Sequence, residues 1–85
     1  MKISVKFFVF DLPPDFKDAE LELAPGALVS DALNACLDLF KKRNVTMDVN
    51  ELFTSIVMIG GKWSDPNTPV SDGDTLTIIR PLDGG

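Results

Sequence analysis

The chain contains no histidine, no tyrosine and a single cysteine among its 85 residues. Without histidine a His-based catalytic triad has no base and a zinc site lacks its commonest nitrogen ligand, and one cysteine supplies neither an internal disulfide nor a thiolate cluster. Positive charge is scarce as well: eight Lys and Arg stand against thirteen Asp and Glu, a formal net charge of −5. A surface of that sign repels polyanions and anionic lipid, so neither nucleic acid nor membrane is an expected partner, and charge steering favours basic ones. Long apolar runs are missing too. The N-terminal run from Ile3 to Phe10 is interrupted by Lys6 and closed by Asp11, too short for a signal-peptide core or a spanning helix. These features predict a cytoplasmic protein in which a free thiol is tolerated.

What is present is one domain's worth of core. With 45% hydrophobic and 25% charged residues, residues 1–85 read as a single soluble domain that hides about two-thirds of its unfolded surface. Little volume is left for a deep catalytic cavity, so the expectation is a non-enzyme.

Along the chain, Ile3, Val5, Phe7 and Val9 alternate with polar residues or with Phe8, which places those four on the core face of a first strand. Leu12-Pro13-Pro14-Asp15 breaks it, and Glu20-Leu21-Glu22-Leu23 reads as a second strand paired with the first in a hairpin. After Pro25-Gly26, the residues Val29, Ala32, Leu33, Cys36, Leu37 and Phe40 follow the spacing of one buried helical stripe. Ser30 with Asp31 offers a cap and a negative charge at its start. Lys41-Lys42-Arg43 followed by Asn44 suits its negative end and a left-handed stop. Val45 to Phe53 has no clean period and predicts a loop or a short helical turn. Thr54 to Ile59 predicts a strand covered on both sides or nearly so. Gly60-Gly61 turns the chain into a short strand, Lys62-Trp63-Ser64, and Asp72-Gly73-Asp74 leads into the last strand, Thr75 to Ile79.

The order is ββαβββ, with no repeats and no linker. It fits a two-layer α+β roll: a mixed sheet with one helix packed across one face, and the first and last strands side by side and parallel. Pro81 ends the last strand, and Pro81-Leu82-Asp83-Gly84-Gly85 is expected to be a flexible tail clear of the sheet. Two glycines at a terminus arise by chance in about 0.5% of chains. A carboxylate that follows residues without Cβ atoms can be drawn extended through a narrow channel, where any side chain would clash.

The ββαβββ order, the Phe7-Phe8 pair, Asp72-Gly73-Asp74 before the last strand and the terminal Gly84-Gly85 together resemble the MoaD/ThiS family, the ubiquitin-like sulfur carriers with a β-grasp fold. The resemblance covers essentially the whole chain and lies in the combination of these features. It departs from the family pattern at Leu28, where a Thr or Ser usually opens the helix, at Gly60, where an Asn is usual, and at Arg80, where a second Pro is common.

The resemblance implies that an adenylating enzyme of the MoeB/ThiF kind spends ATP on the Gly85 carboxylate, which a persulfide donor then converts to a thiocarboxylate. Gly85 is the reacting residue, Gly84 gives clearance, and the carrier itself binds no cofactor and catalyses nothing. Length, the Phe7-Phe8 pair and the long segment before Thr54 favour the molybdopterin-synthase small-subunit branch, whose acceptor is the synthase large subunit. A thiamin-type carrier serving a thiazole synthase is the nearest alternative.

Strand parity points to a docking surface. If Ile3, Val5, Phe7 and Val9 face the helix, Phe8 and Phe10 face away, and if Leu76 and Ile78 point inward, Ile79 points out. Trp63 joins them to give a patch of Phe8, Trp63 and Ile79 beside the tail, similar to the family's partner-binding patch. Arg80, Pro81, Leu82 and Asp83 extend the expected contact along the tail. Cys36 reads as buried and structural, Lys41-Lys42-Arg43 as a solvated helix end, and Asp72 and Asp74 as turn formers rather than metal ligands. Two further readings stay open: a ubiquitin-like modifier joined to lysines through Gly85, and a plain interaction module with accidental terminal glycines.

Overall fold

The computed structural model describes residues 1–81. The predicted tail beyond Pro81, comprising Leu82, Asp83, Gly84 and Gly85, lies outside the described residues. Strand β1 (Lys2–Phe8) pairs antiparallel with β2 (Asp18–Glu22), helix α1 (Val29–Lys42) comes next, and a short helix α2 (Val49–Phe53) precedes β3 (Ile56–Ile59), β4 (Lys62–Ser64) and β5 (Thr75–Ile79). The five strands form one sheet in the order β2-β1-β5-β3-β4, with β1 and β5 parallel at its centre and the other pairs antiparallel. The expected α+β β-grasp roll is therefore the fold, with α2 added between the main helix and β3.

Period-2 burial builds the inner sheet face: Ile3, Val5 and Phe7 of β1, Leu21 of β2, Val57 of β3, and Leu76 and Ile78 of β5 are buried. The stripe Val29, Ala32, Leu33, Cys36 and Phe40 of α1 lies against them, with Leu37 only partly covered. Phe7 and Phe16 both stack at a tilt on Phe40, with ring centroids 5.3 and 5.0 Å away. A 3-10 turn at Pro14–Phe16 carries Phe16 into the core.

The two ends of α1 are made differently. At its start Leu28 occupies the cap position, and the predicted cap, Ser30, is already inside the helix. Leu28 has no acceptor to offer. The unpaired amides of Val29 and Ser30 instead donate to the carbonyls of Thr68 and Pro66, both at 2.9 Å, while the Asp31 carboxylate accepts the Leu28 amide at 2.8 Å. At its end Asn44 takes the left-handed conformation (φ 56°), Val45 N–H reaches the Phe40 carbonyl at 2.8 Å and Asn44 N–H the Lys41 carbonyl at 3.2 Å. This pair of bonds is a Schellman termination, the stop that the sequence predicts.

Strand β1 stops one residue earlier than its alternation predicts. Val9 has φ 68°, leaves the sheet and is exposed, whereas the expectation placed it on the core face. The backbone flip at Val9 also reverses the parity of Phe10. That ring turns back against the core and meets Phe7 edge to face at 5.8 Å, so it is not on the outer face with Phe8.

Candidate functional site

The site is built where β5 ends. Its position between β1 and β3 aligns side chains across four strands, because directly paired residues project to the same face. Ile79 is paired with Phe8 on one side and Ile56 on the other, and Thr77 with Lys6 and Met58, with Trp63 of β4 opposite Met58. The outer sheet face therefore carries Phe8, Ile79 and Ile56 in one row and Met58 and Trp63 in the next. Phe8 is 49% and Trp63 74% exposed, while Ile79, Ile56 and Met58 are half-buried. The predicted patch of Phe8, Trp63 and Ile79 is brought together, and it is larger than parity alone suggests.

Ile56 and Met58 are the additions. The apolar run from Thr54 to Ile59 predicts a strand covered on both faces, but only Val57 is fully buried. Alternation hidden inside an all-apolar stretch leaves no sequence signal, and only the pairing register shows which residues look outward. Helix α2 does not shade this face. Leu52 of α2 is fully buried in the core and α2 packs beside α1, so α2 belongs to the helix layer.

The other half of the outer face is polar. Lys2 lies opposite Glu22, Ser4 opposite Glu20, and Lys6 opposite Asp18. The face thus changes along β1 from charged cross-strand pairs to apolar side chains, with the apolar end next to the exit of β5. Such a boundary suits a docking surface with an apolar centre and a polar margin.

At the exit, Arg80 N–H donates to the Phe8 carbonyl at 3.1 Å, and Pro81, which has no N–H, cannot prolong the pairing. Since Ile79 projects outward, the Arg80 side chain projects to the helix side, where its Nε forms an ion pair with Glu51 of α2. Arg80 thus stands beside the tail but not within the patch. Pro81 is half-buried. Leu82, Asp83, Gly84 and Gly85 lie outside the described residues.

The remaining candidates have structural surroundings. Burial pushes the Cys36 thiol up to about 12, which keeps it protonated and unreactive at neutral pH. Arg43 lies over the Phe16 ring, 5.3 Å from its centre, at the end of α1. The Asp72 carboxylate accepts the Lys2 amide and that of Asp74 the Ser71 amide, both at 2.7 Å, so these two side chains hold the turn into β5. Among the described residues no three His, Cys, Asp or Glu side chains converge on a point that could hold a metal ion, and no helix is long and apolar enough to cross a membrane.

No protein-family model matches the chain, and no curated protein matches it in sequence. Solved structures do. SAMP1, small archaeal modifier protein 1, from Haloferax volcanii is 25% identical over 100% of both chains, with a TM-score of 0.72. A candidate molybdopterin converting factor subunit 1 from Pyrococcus furiosus is 22% identical over 95% of this chain and 98% of its own, with a TM-score of 0.71. In Helicobacter pylori, a complex of subunits 1 and 2 of the molybdopterin-converting factor supplies a third similar chain, 19% identical over 100% of both chains, with a TM-score of 0.54. The fold, its strand order and these likenesses agree: the chain has a ubiquitin-like β-grasp fold of the MoaD/ThiS type.

Proposed function

We propose that the protein is a sulfur carrier whose Gly85 carboxylate is adenylated and then converted to a thiocarboxylate, in the manner of the small subunit of a molybdopterin-forming synthase. The observation that supports this reading best is the exit of β5. The strand ends beside an exposed apolar patch and hands the chain to Pro81, followed in sequence by Leu82-Asp83-Gly84-Gly85. A partner seated on Phe8, Ile79, Ile56, Met58 and Trp63 would have the exit of β5 at its border.

The chemistry needs a partner at each step. A carboxylate becomes electrophilic only when one oxygen is made a leaving group, so an adenylating enzyme supplies ATP and pyrophosphate departs. A persulfide sulfur then attacks the acyl carbon, AMP leaves, and a thiol reduces the resulting S–S bond to leave the thiocarboxylate. Gly84 and Gly85 place no Cβ near the reacting carbon. Subunit 1 of the molybdopterin-converting factor is found in complex with subunit 2, which supports a larger synthase subunit as the acceptor partner of this chain. A thiamin-type carrier fits the same site.

Likeness to a small archaeal modifier favours a second reading, in which the same adenylated Gly85 is joined to lysines of other proteins. Intact mass after incubation with an adenylating enzyme, ATP and a sulfur donor separates the two. Replacement of one oxygen by sulfur, absent from a chain lacking Gly84 and Gly85, is the expected outcome. Lysine-linked adducts alone would select the modifier reading, and an unchanged mass would count against both.

A further inference from the structure

Arg80 is anchored twice. Its amide extends the parallel pairing of β1 and β5 one residue beyond β5, and its guanidinium pairs with Glu51. The support behind Glu51 is firm for so short a helix. Its neighbour Leu52 is fully buried, and Asp48 caps α2 by accepting the amides of Asn50 and Glu51 at 2.9 and 3.4 Å. At the other end the hydroxyls of Thr54 and Ser55 donate to the carbonyls of Asn50 and Glu51, both at 2.7 Å. The carboxylate is therefore presented from a fixed place.

The two side chains are 44% (Arg80) and 29% (Glu51) exposed. An ion pair this open to water adds little to folding stability, so a stabilising role does not account for it well. Its geometric effect is larger. With its backbone held by Phe8 on one side and its side chain by Glu51 on the other, residue 80 has little freedom left to rotate. The next residue is Pro81, whose ring fixes its own φ.

We infer that Glu51 is a positioning residue: through Arg80 it holds the exit of β5 in one orientation, so that an activating enzyme meets the end of the strand in a fixed geometry. The inference rests on the sulfur-carrier reading. Its physical basis is preorganisation, since a segment whose root is fixed loses less entropy on entering a channel than one whose root is free.

Adenylation of the full-length chain, followed as pyrophosphate release, tests this with Glu51→Ala, Arg80→Glu and the exchanged pair Glu51→Arg with Arg80→Glu. Glu51→Ala should raise KM for the carrier about threefold to fivefold with kcat nearly unchanged, the scale of one exposed ion pair. The exchanged pair should recover most of that loss. An unchanged KM in Glu51→Ala would overturn the inference. So would an exchanged pair no better than Arg80→Glu alone, because Arg80 would then act on the partner directly.

Proton exchange at the Arg80 Nε–H, read by NMR, decides the ion pair independently of any enzyme. It should quicken about fivefold in Glu51→Ala, and equal rates in the two proteins would overturn the inference. A wild-type chain that is not adenylated at all would instead count against the sulfur-carrier reading, with the exchange rates still judging the pair.

Discussion

Cys36 is the only thiol in the chain and has no solvent exposure. Desolvation pushes its thiol from an ordinary value of 9.0 up to about 12. Below pH 9 the folded and unfolded chains both keep the proton, and the full stability is present. Between about pH 9 and pH 12 the unfolded chain releases a proton that the folded chain retains, so stability falls as pH rises, by up to about 1.4 kcal/mol per pH unit. Cys36→Ala removes this slope while leaving a small cavity that costs about 1 kcal/mol. Urea unfolding between pH 8 and pH 11, a range of about three units, should therefore give a flatter curve for the variant. Parallel curves would contradict the burial of the thiol. That burial is legible in the sequence, because Cys36 shares the helical spacing of Leu33 and Phe40. The partner of Arg80 is not: nothing local links Arg80 to Glu51, which lie 29 positions apart in the chain and meet only in the fold.

At the scale of elements, signals carried by local chemistry read correctly and those that depend on distant backbone do not. Asn44 stops α1 because its short side chain tolerates the left-handed region, a property of the residue itself. The start of α1 differs from the expectation because its first amides are satisfied by the Pro66 and Thr68 carbonyls, which lie far along the chain. The end of β1 is the more consequential difference. Alternation predicts that Val9 continues the strand, yet Val9 takes φ 68°, an unusual conformation for a β-branched residue that costs about 1 to 2 kcal/mol. The flip moves Val9 out of the core and brings Phe10 in. Val9→Asn should therefore stabilise the protein by about 1 kcal/mol, raising Tm by about 4 to 8 °C, since asparagine accepts this conformation and Val9 is 56% exposed, with little packing to lose. A Tm at or below that of the wild type in a thermal melt would mean that Val9 carries no such strain.

For the molecule as a whole, the central parallel pair β1 and β5 is dictated by chain order, and it explains why Phe8 and Ile79 meet although they lie at nearly opposite ends of the sequence. The patch they begin continues through Ile56 and Met58 to Trp63, so its centre is in β3 and its most exposed member on β4. Trp63 contributes little to the fold, being 74% exposed, yet an aromatic at such a place is the kind of anchor that dominates binding energy. Trp63→Asp should therefore leave Tm within about 2 °C of wild type. It should weaken binding to a synthase large subunit or adenylating enzyme at least about tenfold, or about 1.4 kcal/mol, by placing a charge where apolar surface must be desolvated. Val49→Asp supplies the control, because Val49 is equally apolar and 53% exposed but sits on α2, in the helix layer. Titration calorimetry on the three proteins separates the outcomes. Loss of affinity confined to Trp63→Asp places the partner on the outer sheet face, equal loss in both variants points to a nonspecific effect of added negative charge, and unchanged affinity in both removes this face from the interface.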